Sequence, residues 1–171
     1  PAGVVNIVTG DGRTGAALVE NEGVDKIAFT GSTEVGKEIQ RRLAGTGKRL
    51  TLELGGKAAN IVFDDAALDQ AVEGIVNGIY FNQGHVCCAG SRLFVQESIY
   101  EPLVAKLERR LTTLRVGDPL DKNTDVGAIN SKQQLEKIEE LVASGAEEGA
   151  EIYQPPCRLP EKGYWLAPTV F

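Results

Sequence analysis

Two adjacent cysteines lie in a glycine-bounded segment, Gln83-Gly-His-Val-Cys-Cys-Ala-Gly90, between a predicted long helix and a predicted strand. A cysteine in such a turn can be exposed and nucleophilic, whereas most free cysteines are buried and inert. Of two in succession, we expect one side chain to point outward and one inward. The single histidine, His85, lies two residues before Cys87, which allows the Cys–His dyad of a cysteine hydrolase as an interpretation. Neighbours this close in sequence rarely align for proton transfer, so the dyad is disfavoured.

A carboxylate, Glu53, lies near the end of a predicted strand and is followed by Leu54 and two glycines. Ligands of open α/β sheets gather at the carboxyl ends of the strands. Apolar neighbours solvate a carboxylate poorly, and that environment suits a general base. The alternative is an edge carboxylate paired with a nearby cation, and the residues alone leave both open. The candidate partners are Lys48, Arg49 and Lys57.

Two glycine-containing turns are candidates for binding a phosphate. The segment Gly10-Asp-Gly-Arg-Thr-Gly15 matches G-x-G-x-x-G between a predicted strand and a predicted helix, as in dinucleotide-binding folds. A plain glycine-rich turn explains it equally well. The segment Thr30-Gly-Ser-Thr33 precedes another helix, whose free N–H groups could bind an anion. Simple N-capping by Ser32 or Thr33 is the alternative, and the acidic Glu34 counts slightly against a phosphate.

The elements that must position these residues alternate along the chain. Predicted strands cover residues 4–8, 26–29, 49–54, 59–63 and 92–96, with strand-like segments at 152–153 and 168–171. Predicted helices cover residues 14–20 and 32–43, and three longer ones begin at N-caps at Asp65, Ser98 and Ser131, the last ending at Gly145. Such alternation predicts an α/β fold with parallel strands. Helices lengthen after Gly55-Gly56, which predicts a domain boundary there.

Composition excludes several other classes of function. A formal net charge of −6 disfavours nucleic-acid binding, which needs a surplus of Lys and Arg on one face. No apolar run approaches the roughly 18 residues of a membrane span, so we expect no membrane partner. Three cysteines and one histidine give neither a disulfide framework nor the spacing of a metal site. Free thiols instead favour a reducing, cytoplasm-like compartment.

Three motifs together resemble the aldehyde dehydrogenase superfamily. They are Phe29-Thr-Gly-Ser-Thr-Glu-Val-Gly36, Leu52-Glu-Leu-Gly-Gly-Lys57, and Phe81-Asn-Gln-Gly followed by Cys87-Cys-Ala-Gly-Ser-Arg92. The resemblance extends over the whole chain. It implies a fragment of the aldehyde dehydrogenase fold: residues 1–55 would end a Rossmann-like NAD(P)-binding domain, and residues 56–171 would begin the catalytic domain.

The resemblance also implies a role for each matching residue. Cys87 corresponds to the nucleophile, with Cys88 as its companion, and Glu53 corresponds to the general base. The Cys87 backbone N–H would supply half of an oxyanion hole. The residues implied for the cofactor are Gly31 and Ser32 under the pyrophosphate, Val35 beside the adenine, Leu54 and Gly55 near the nicotinamide, and Gly12 and Gly15 at the adenosine end. On this basis the G-x-G-x-x-G match is not a Rossmann fingerprint, because the helix at Ser32 holds the pyrophosphate.

The expected activity is oxidation of an aldehyde to a carboxylic acid with NAD, NADP remaining open, through a thiohemiacetal and a thioester on Cys87. Family enzymes are much longer and form dimers or tetramers, so we expect a homo-oligomer in the full-length protein and little activity in the fragment alone. The start, Pro1-Ala-Gly-Val, lacks Met and is interpreted as an internal cut. A non-enzymatic module derived from the family is the rival interpretation, and it is disfavoured by the intact pair of Glu53 and Cys87.

Overall fold

The computed structural model describes residues 1–171, which form two compact units, Pro1–Gly55 and Gly56–Phe171. The first unit contains α1 (Gly12–Glu20), β1 (Lys26–Gly31), α2 (Thr33–Leu43) and β2 (Arg49–Leu54). The second contains β3 (Ala59–Val62), α3 (Leu68–Tyr80), β4 (Arg92–Val95), α4 (Tyr100–Leu111) and α5 (Lys132–Glu147). Short 3₁₀ helices cover Phe81–Gly84 and Glu97–Ile99. None of the α-helices is both long and apolar enough to cross a bilayer.

In the first unit, a two-stranded parallel sheet packs against α2. The strands pair in register from Lys26 opposite Arg49 to Gly31 opposite Leu54. The small core contains Val19, Ile39 and Leu43. The predicted α/β alternation with parallel strands is confirmed in this unit.

The second unit repeats the parallel pairing and contains the larger core. β3 and β4 pair from Ala59 opposite Arg92 to Val62 opposite Val95, and α3 packs against α4. Two ion pairs cross between these helices, Lys106 with Asp69 and Arg110 with Glu73, each at 2.6 Å. The buried core residues are Val62, Val72, Ile75, Val76, Leu103, Leu107, Leu111 and Leu114.

The predicted strand at residues 4–8 is wrong. These residues are exposed and form no strand, and Ile7 is 87% exposed. β-Branched composition favours a strand only where a neighbouring strand and a packing surface exist, and the described chain offers this segment neither. The tail behaves similarly, because the strand-like segments at 152–153 and 168–171 share only an isolated bridge, Tyr153 to Val170.

Helix termini were predicted less accurately than the helices themselves. α3 begins after Ala67 and α4 after Ile99, both without a side-chain cap, so the predicted caps at Asp65 and Ser98 are wrong. Local turns at Phe63–Ala66 and Gln96–Ile99 occupy those positions instead. Ser131 does cap α5, since its Oγ accepts from the N–H of Gln134 at 3.2 Å.

Gly145 does not end α5 as predicted, because the helix continues to Glu147. A left-handed glycine follows it, Gly149, with φ of 85°, in the conformation that commonly terminates helices. A Cβ at position 145 would lie 2.5 Å from the Phe171 ring. Gly145 therefore serves close packing rather than helix termination.

Candidate active site

The carboxyl end of the β1–β2 sheet brings together five of the predicted site residues. Parallel register places Thr30 opposite Glu53 and Gly31 opposite Leu54. Ser32 follows Gly31 directly as the N-cap of α2, and Gly55 follows Leu54. Ligands of parallel α/β sheets bind at this edge. The predicted base and the predicted phosphate-binding turn therefore share one end of the same sheet.

The start of α2 is exposed from Gly31 to Val35. The Ser32 Oγ accepts from the N–H of Val35 at 3.3 Å, so the N-capping role is present. The N–H groups of Thr33 and Glu34 belong to the first turn of the helix, which leaves its N–H groups without intrahelical partners. Capping and anion binding are thus compatible, because a phosphate would use the N–H groups that Ser32 leaves free.

Gly36, which sequence reasoning missed, determines how closely α2 approaches β2. A Cβ at this position would lie 2.7 Å from a methyl group of Leu54. Gly36 is buried in the second turn of α2. The absence of a side chain here fixes the distance between the helix start and the strand end that carries Glu53.

We expect Gly36→Ala to destabilise the full-length protein by about 1–3 kcal/mol, because the new methyl group overpacks against Leu54. Gly74→Ala is the matched control, since Gly74 lies inside α3 with open space at its Cβ position. Alanine there should be neutral or stabilising by up to about 1 kcal/mol. Urea denaturation measures both variants, and equal effects would contradict the packing role of Gly36.

Glu53 lies on the exposed face of β2. The strand alternates, with Arg49, Thr51 and Glu53 exposed and Leu50, Leu52 and Leu54 half-buried. Glu53 forms no ion pair with Lys48 or Arg49, which were its candidate partners in the same unit. Lys48 instead donates to the backbone carbonyls of Val19 and Asn21, at 2.7 Å each. The carboxylate is therefore free to interact with water.

Gly12 and Gly15 are not part of a strand–turn–helix motif. Gly12 begins α1 and Gly15 is inside it, and both are exposed, with open space where a Cβ would lie. Asp11 caps the helix by accepting from the N–H of Arg13 at 2.9 Å, and the Arg13 guanidinium lowers the pKa of the Asp11 carboxyl. No strand precedes this turn, which agrees with the expectation that the G-x-G-x-x-G match is not a Rossmann fingerprint.

Cys87 and Cys88 occupy the centre of a tight turn. The N–H of Ala89 donates to the Val86 carbonyl at 3.0 Å, which closes the turn. Both cysteines are exposed, so the prediction that one points inward is wrong; Ala89 is the buried residue of the turn. Two residues at the tip of a turn both project from it, and neither thiol is buried as an inert packing group.

The carboxyl side of this turn is fixed by two hydrogen bonds that sequence reasoning did not identify. The N–H of Gly90 donates to the Gly78 carbonyl at 2.9 Å, and the Asn60 side chain donates to the Gly90 carbonyl at 3.1 Å. A Cβ at position 90 would lie 2.2 Å from the Asn60 amide. The segment before β3 also lies against the turn, because a Cβ at Gly56 would be 3.6 Å from the Cys87 carbonyl oxygen.

The amino side of the turn adopts an unusual backbone conformation. Asn82 and Gln83 have φ of 49° and 57°, and Gly84 has φ of 74°. Left-handed conformations are uncommon for residues other than glycine, and they cluster at functional sites where surrounding contacts enforce them. Asn82 supplies one such contact, since its side chain donates to the His85 carbonyl at 3.1 Å.

His85 does not form a dyad with Cys87. No hydrogen bond joins the two residues, and the buried His85 Nε2 has no partner at all. The N–H of His85 donates to the Asn82 carbonyl at 2.9 Å, so the backbone of His85 takes part in the turn. No group of three or more His, Cys, Asp or Glu side chains is arranged to hold a metal ion.

Comparison with known proteins decides the family. The profile of the aldehyde dehydrogenase family matches residues 1–171. This chain belongs to the aldehyde dehydrogenase family. The resemblance found in the three motifs is therefore confirmed over the whole length of the chain.

Relatives of known name support this assignment. The chain is 52% identical over 173 aligned residues to retinal dehydrogenase 2 of Rattus norvegicus, covering 100% of the chain and 33% of that protein. It is 48% identical over 172 residues to the putative aldehyde dehydrogenase DhaS of Bacillus subtilis (strain 168), covering 100% of the chain and 35% of that protein. This aldehyde dehydrogenase chain thus spans about a third of the length of these relatives.

Solved structures confirm the fold. The NAD+ complex of an aldehyde dehydrogenase from Bacillus cereus superimposes with a TM-score of 0.86 at 42% identity, over 91% of this chain and 32% of that one. An NADP dependent enzyme from E. coli gives a TM-score of 0.92 at 39% identity, over 99% of this chain and 35% of that one. The α/β architecture is that of an aldehyde dehydrogenase segment.

Proposed function

We propose that this chain supplies the nucleophile and the general base of an NAD(P)-dependent aldehyde dehydrogenase. The observation that carries the proposal is Cys87, an exposed thiol at the tip of a turn held on both sides, within a chain that matches the family throughout. In the full-length protein the reaction oxidises an aldehyde to a carboxylic acid. The chemistry proceeds through bonds to the Cys87 sulfur.

Cys87 forms the first covalent bond. Its thiolate adds to the carbonyl carbon of the aldehyde, and the oxygen takes a proton at the end of this step to give a thiohemiacetal. As the family resemblance implies, the backbone N–H of Cys87 supplies one donor to the developing negative charge on that oxygen. A nicotinamide, when bound, would supply the two-electron oxidant by accepting a hydride from that carbon, while the oxygen releases its proton to solvent and a thioester remains on Cys87.

Glu53 completes the cycle by activating water. Its exposed, unpaired carboxylate takes a proton from a water molecule as that water attacks the thioester carbonyl. The carbon–sulfur bond then breaks, releasing the carboxylic acid and returning Cys87 to its thiolate. The reaction needs one group that forms the covalent bond and another that accepts a proton. The family motifs supply Cys87 for the first role and Glu53 for the second.

The α2 start fits the pyrophosphate of a dinucleotide. Gly31 to Val35 are exposed, α2 is long enough at 11 residues to present a positive end, and Ser32 leaves first-turn N–H groups available. Val35, 41% exposed, offers an apolar contact for the adenine, and Leu54 and Gly55 offer backbone toward the nicotinamide. Gly12 and Gly15 are proposed at the adenosine end. Relatives described as NAD and NADP enzymes support NAD, with NADP as the alternative.

The proposal also covers the oligomeric state and the cellular compartment of the full-length protein. We infer a homo-oligomer, a dimer or a tetramer, for the full-length protein from the family resemblance. The three free cysteines favour a reducing, cytoplasm-like compartment. A small-molecule aldehyde is the substrate class that the family supports.

The full-length protein should reduce NAD in an aldehyde-dependent way, whereas the isolated 171 residues should be silent. The chain spans about a third of the length of its relatives, and we infer that further cofactor contacts lie in the remaining two thirds. Losing one or two charge-assisted hydrogen bonds, at about 1.5–3 kcal/mol each, weakens affinity by roughly one to four decades. Absorbance of NADH and calorimetric titration of NAD measure both proteins. Micromolar binding with measurable oxidation by the isolated chain would contradict this expectation.

A further inference from the structure

The left-handed segment before Cys87 needs an external contact to hold it. Asn82 and Gln83 both have positive φ, and neither is glycine. L residues rarely adopt this conformation, and it persists where the surroundings enforce it. Only three residues separate Gln83 from Cys87, so a change in this segment is transmitted directly to the nucleophile turn.

Gln83 makes that contact through its own side chain. With the amide oriented so that both of its polar atoms have partners, its oxygen accepts from the N–H of Gly127 at 2.8 Å and its nitrogen donates to the Asn82 carbonyl at 2.8 Å. The Gln83 side chain thus bonds to its neighbour Asn82 within the strained segment and also to Gly127, which is distant in sequence. A Cβ at position 127 would lie 2.6 Å from the end of the Gln83 amide, so only glycine admits this contact.

Gly127 belongs to a well-anchored segment. The preceding residue, Val126, is buried and pairs with Val116, and its carbonyl accepts from the N–H of Gly117 at 3.0 Å. The Asp125 carboxylate accepts from the N–H of Arg115 at 2.9 Å. Gln83 is therefore tied to a fixed support rather than to a mobile loop.

We propose that Gln83 is a positioning residue for Cys87, acting through its hydrogen bond to Gly127. The proposal rests on the proposed function, because it assigns to this bond the orientation of the attacking thiol. Asn60 and Gly78 hold the turn on its carboxyl side, and Gln83 holds it on its amino side. Losing the bond frees one side of the turn while the other side stays fixed.

Two substitutions distinguish the effect of the Gln83–Gly127 hydrogen bond from the effect of the left-handed backbone conformation. Asparagine adopts the left-handed conformation readily, so Gln83→Asn should preserve the backbone. Its amide is one methylene too short to reach Gly127. Gln83→Glu keeps an oxygen at the right distance to accept from Gly127 but loses the N–H that donates to Asn82, so it removes the second bond and retains the first. Gln133→Asn, on the exposed face of α5, is the matched control. All three are made in the full-length protein.

The first measurement is alkylation by iodoacetamide, followed by peptide mass spectrometry at each cysteine. We expect Cys87 to react faster than Cys88 in the unmodified protein, and Gln83→Asn to bring their ratio towards one. The half-buried Cys157 is the internal reference, since general destabilisation would accelerate its labelling as well. The control should keep the original ratio, and Gln83→Glu, which retains the bond to Gly127, should lie between the control and Gln83→Asn.

The second measurement is steady-state kinetics. A displaced nucleophile should lower kcat by about ten- to a hundredfold in Gln83→Asn, with KM for NAD unchanged. Gly127→Ala should reproduce this loss by displacing the Gln83 amide. Because both variants break one contact, the double variant should lose no more than the worse single variant. If Gly127→Ala does not fold, the two Gln83 variants decide.

A normal ratio and kcat in Gln83→Asn would overturn the proposal, as would an equal defect in Gln83→Glu. Additive losses in the double variant would also overturn it. Failure of the proposed function is distinguishable: an unmodified protein without aldehyde oxidation would refute the activity, while the alkylation ratio would still report on the contact between Gln83 and Gly127.

Discussion

Replacing Cys87 with alanine in the full-length protein should abolish aldehyde oxidation, whereas Cys88→Ala should retain most of it. Both thiols are exposed, so exposure does not distinguish them. The family motif assigns the covalent bond to Cys87. We expect a loss of at least about 10⁴-fold for Cys87→Ala, the scale seen when a member of a catalytic group is removed.

The two cysteine variants control for each other, because they are adjacent, chemically identical changes at two exposed positions. Initial rates of aldehyde-dependent NADH formation give the comparison, with circular dichroism as the test of folding. If Cys88→Ala were inactive and Cys87→Ala active, the assignment of the nucleophile would be wrong by one residue.

Glu53→Gln should separate the two halves of the reaction. The amide has nearly the shape of the carboxylate but cannot take a proton from water, so the thioester should form and then persist. Rapid mixing should show a burst of NADH followed by turnover slowed by about 10²–10⁴-fold, the usual contribution of a general base.

Glu22→Gln is the matched control, because Glu22 is also exposed in the first unit but has no assigned role. It should show neither a burst nor slowed turnover. Full turnover without a burst in Glu53→Gln would remove Glu53 from the mechanism. A loss of the burst itself, in a folded protein, would place Glu53 before thioester formation instead.

Local patterns predicted the elements that carry the site. The alternation from Arg49 to Leu54 and the apolar spacing from Ser32 to Leu43 correspond to β2 and α2. Parallel pairing then follows from the α/β order, and it brings Gly31 and Leu54 to one edge. These predictions succeed because sequence-local periodicity and short-range hydrogen bonding determine the elements.

Contacts between distant residues were not predictable in this way. Gln83 reaches Gly127, and Asn60 reaches Gly90, across 44 and 30 positions of sequence. Sequence periodicity does not indicate which glycine allows another side chain to approach closely, or which side-chain amide stabilises a turn. The same limit explains the error at residues 4–8, where strand-like composition lacked the partner strand that a sheet requires.

The most direct test of the account is to identify the atom that carries the acyl group. The full-length Glu53→Gln variant is mixed with NAD and an aldehyde, quenched in acid, digested and sequenced by tandem mass spectrometry. We predict that the peptide spanning Gly84 to Gly90 gains the mass of the acyl group on Cys87. Acylation of Cys88 in its place, or no acylated peptide after a full burst of NADH, would contradict the assignment of Cys87 as the nucleophile.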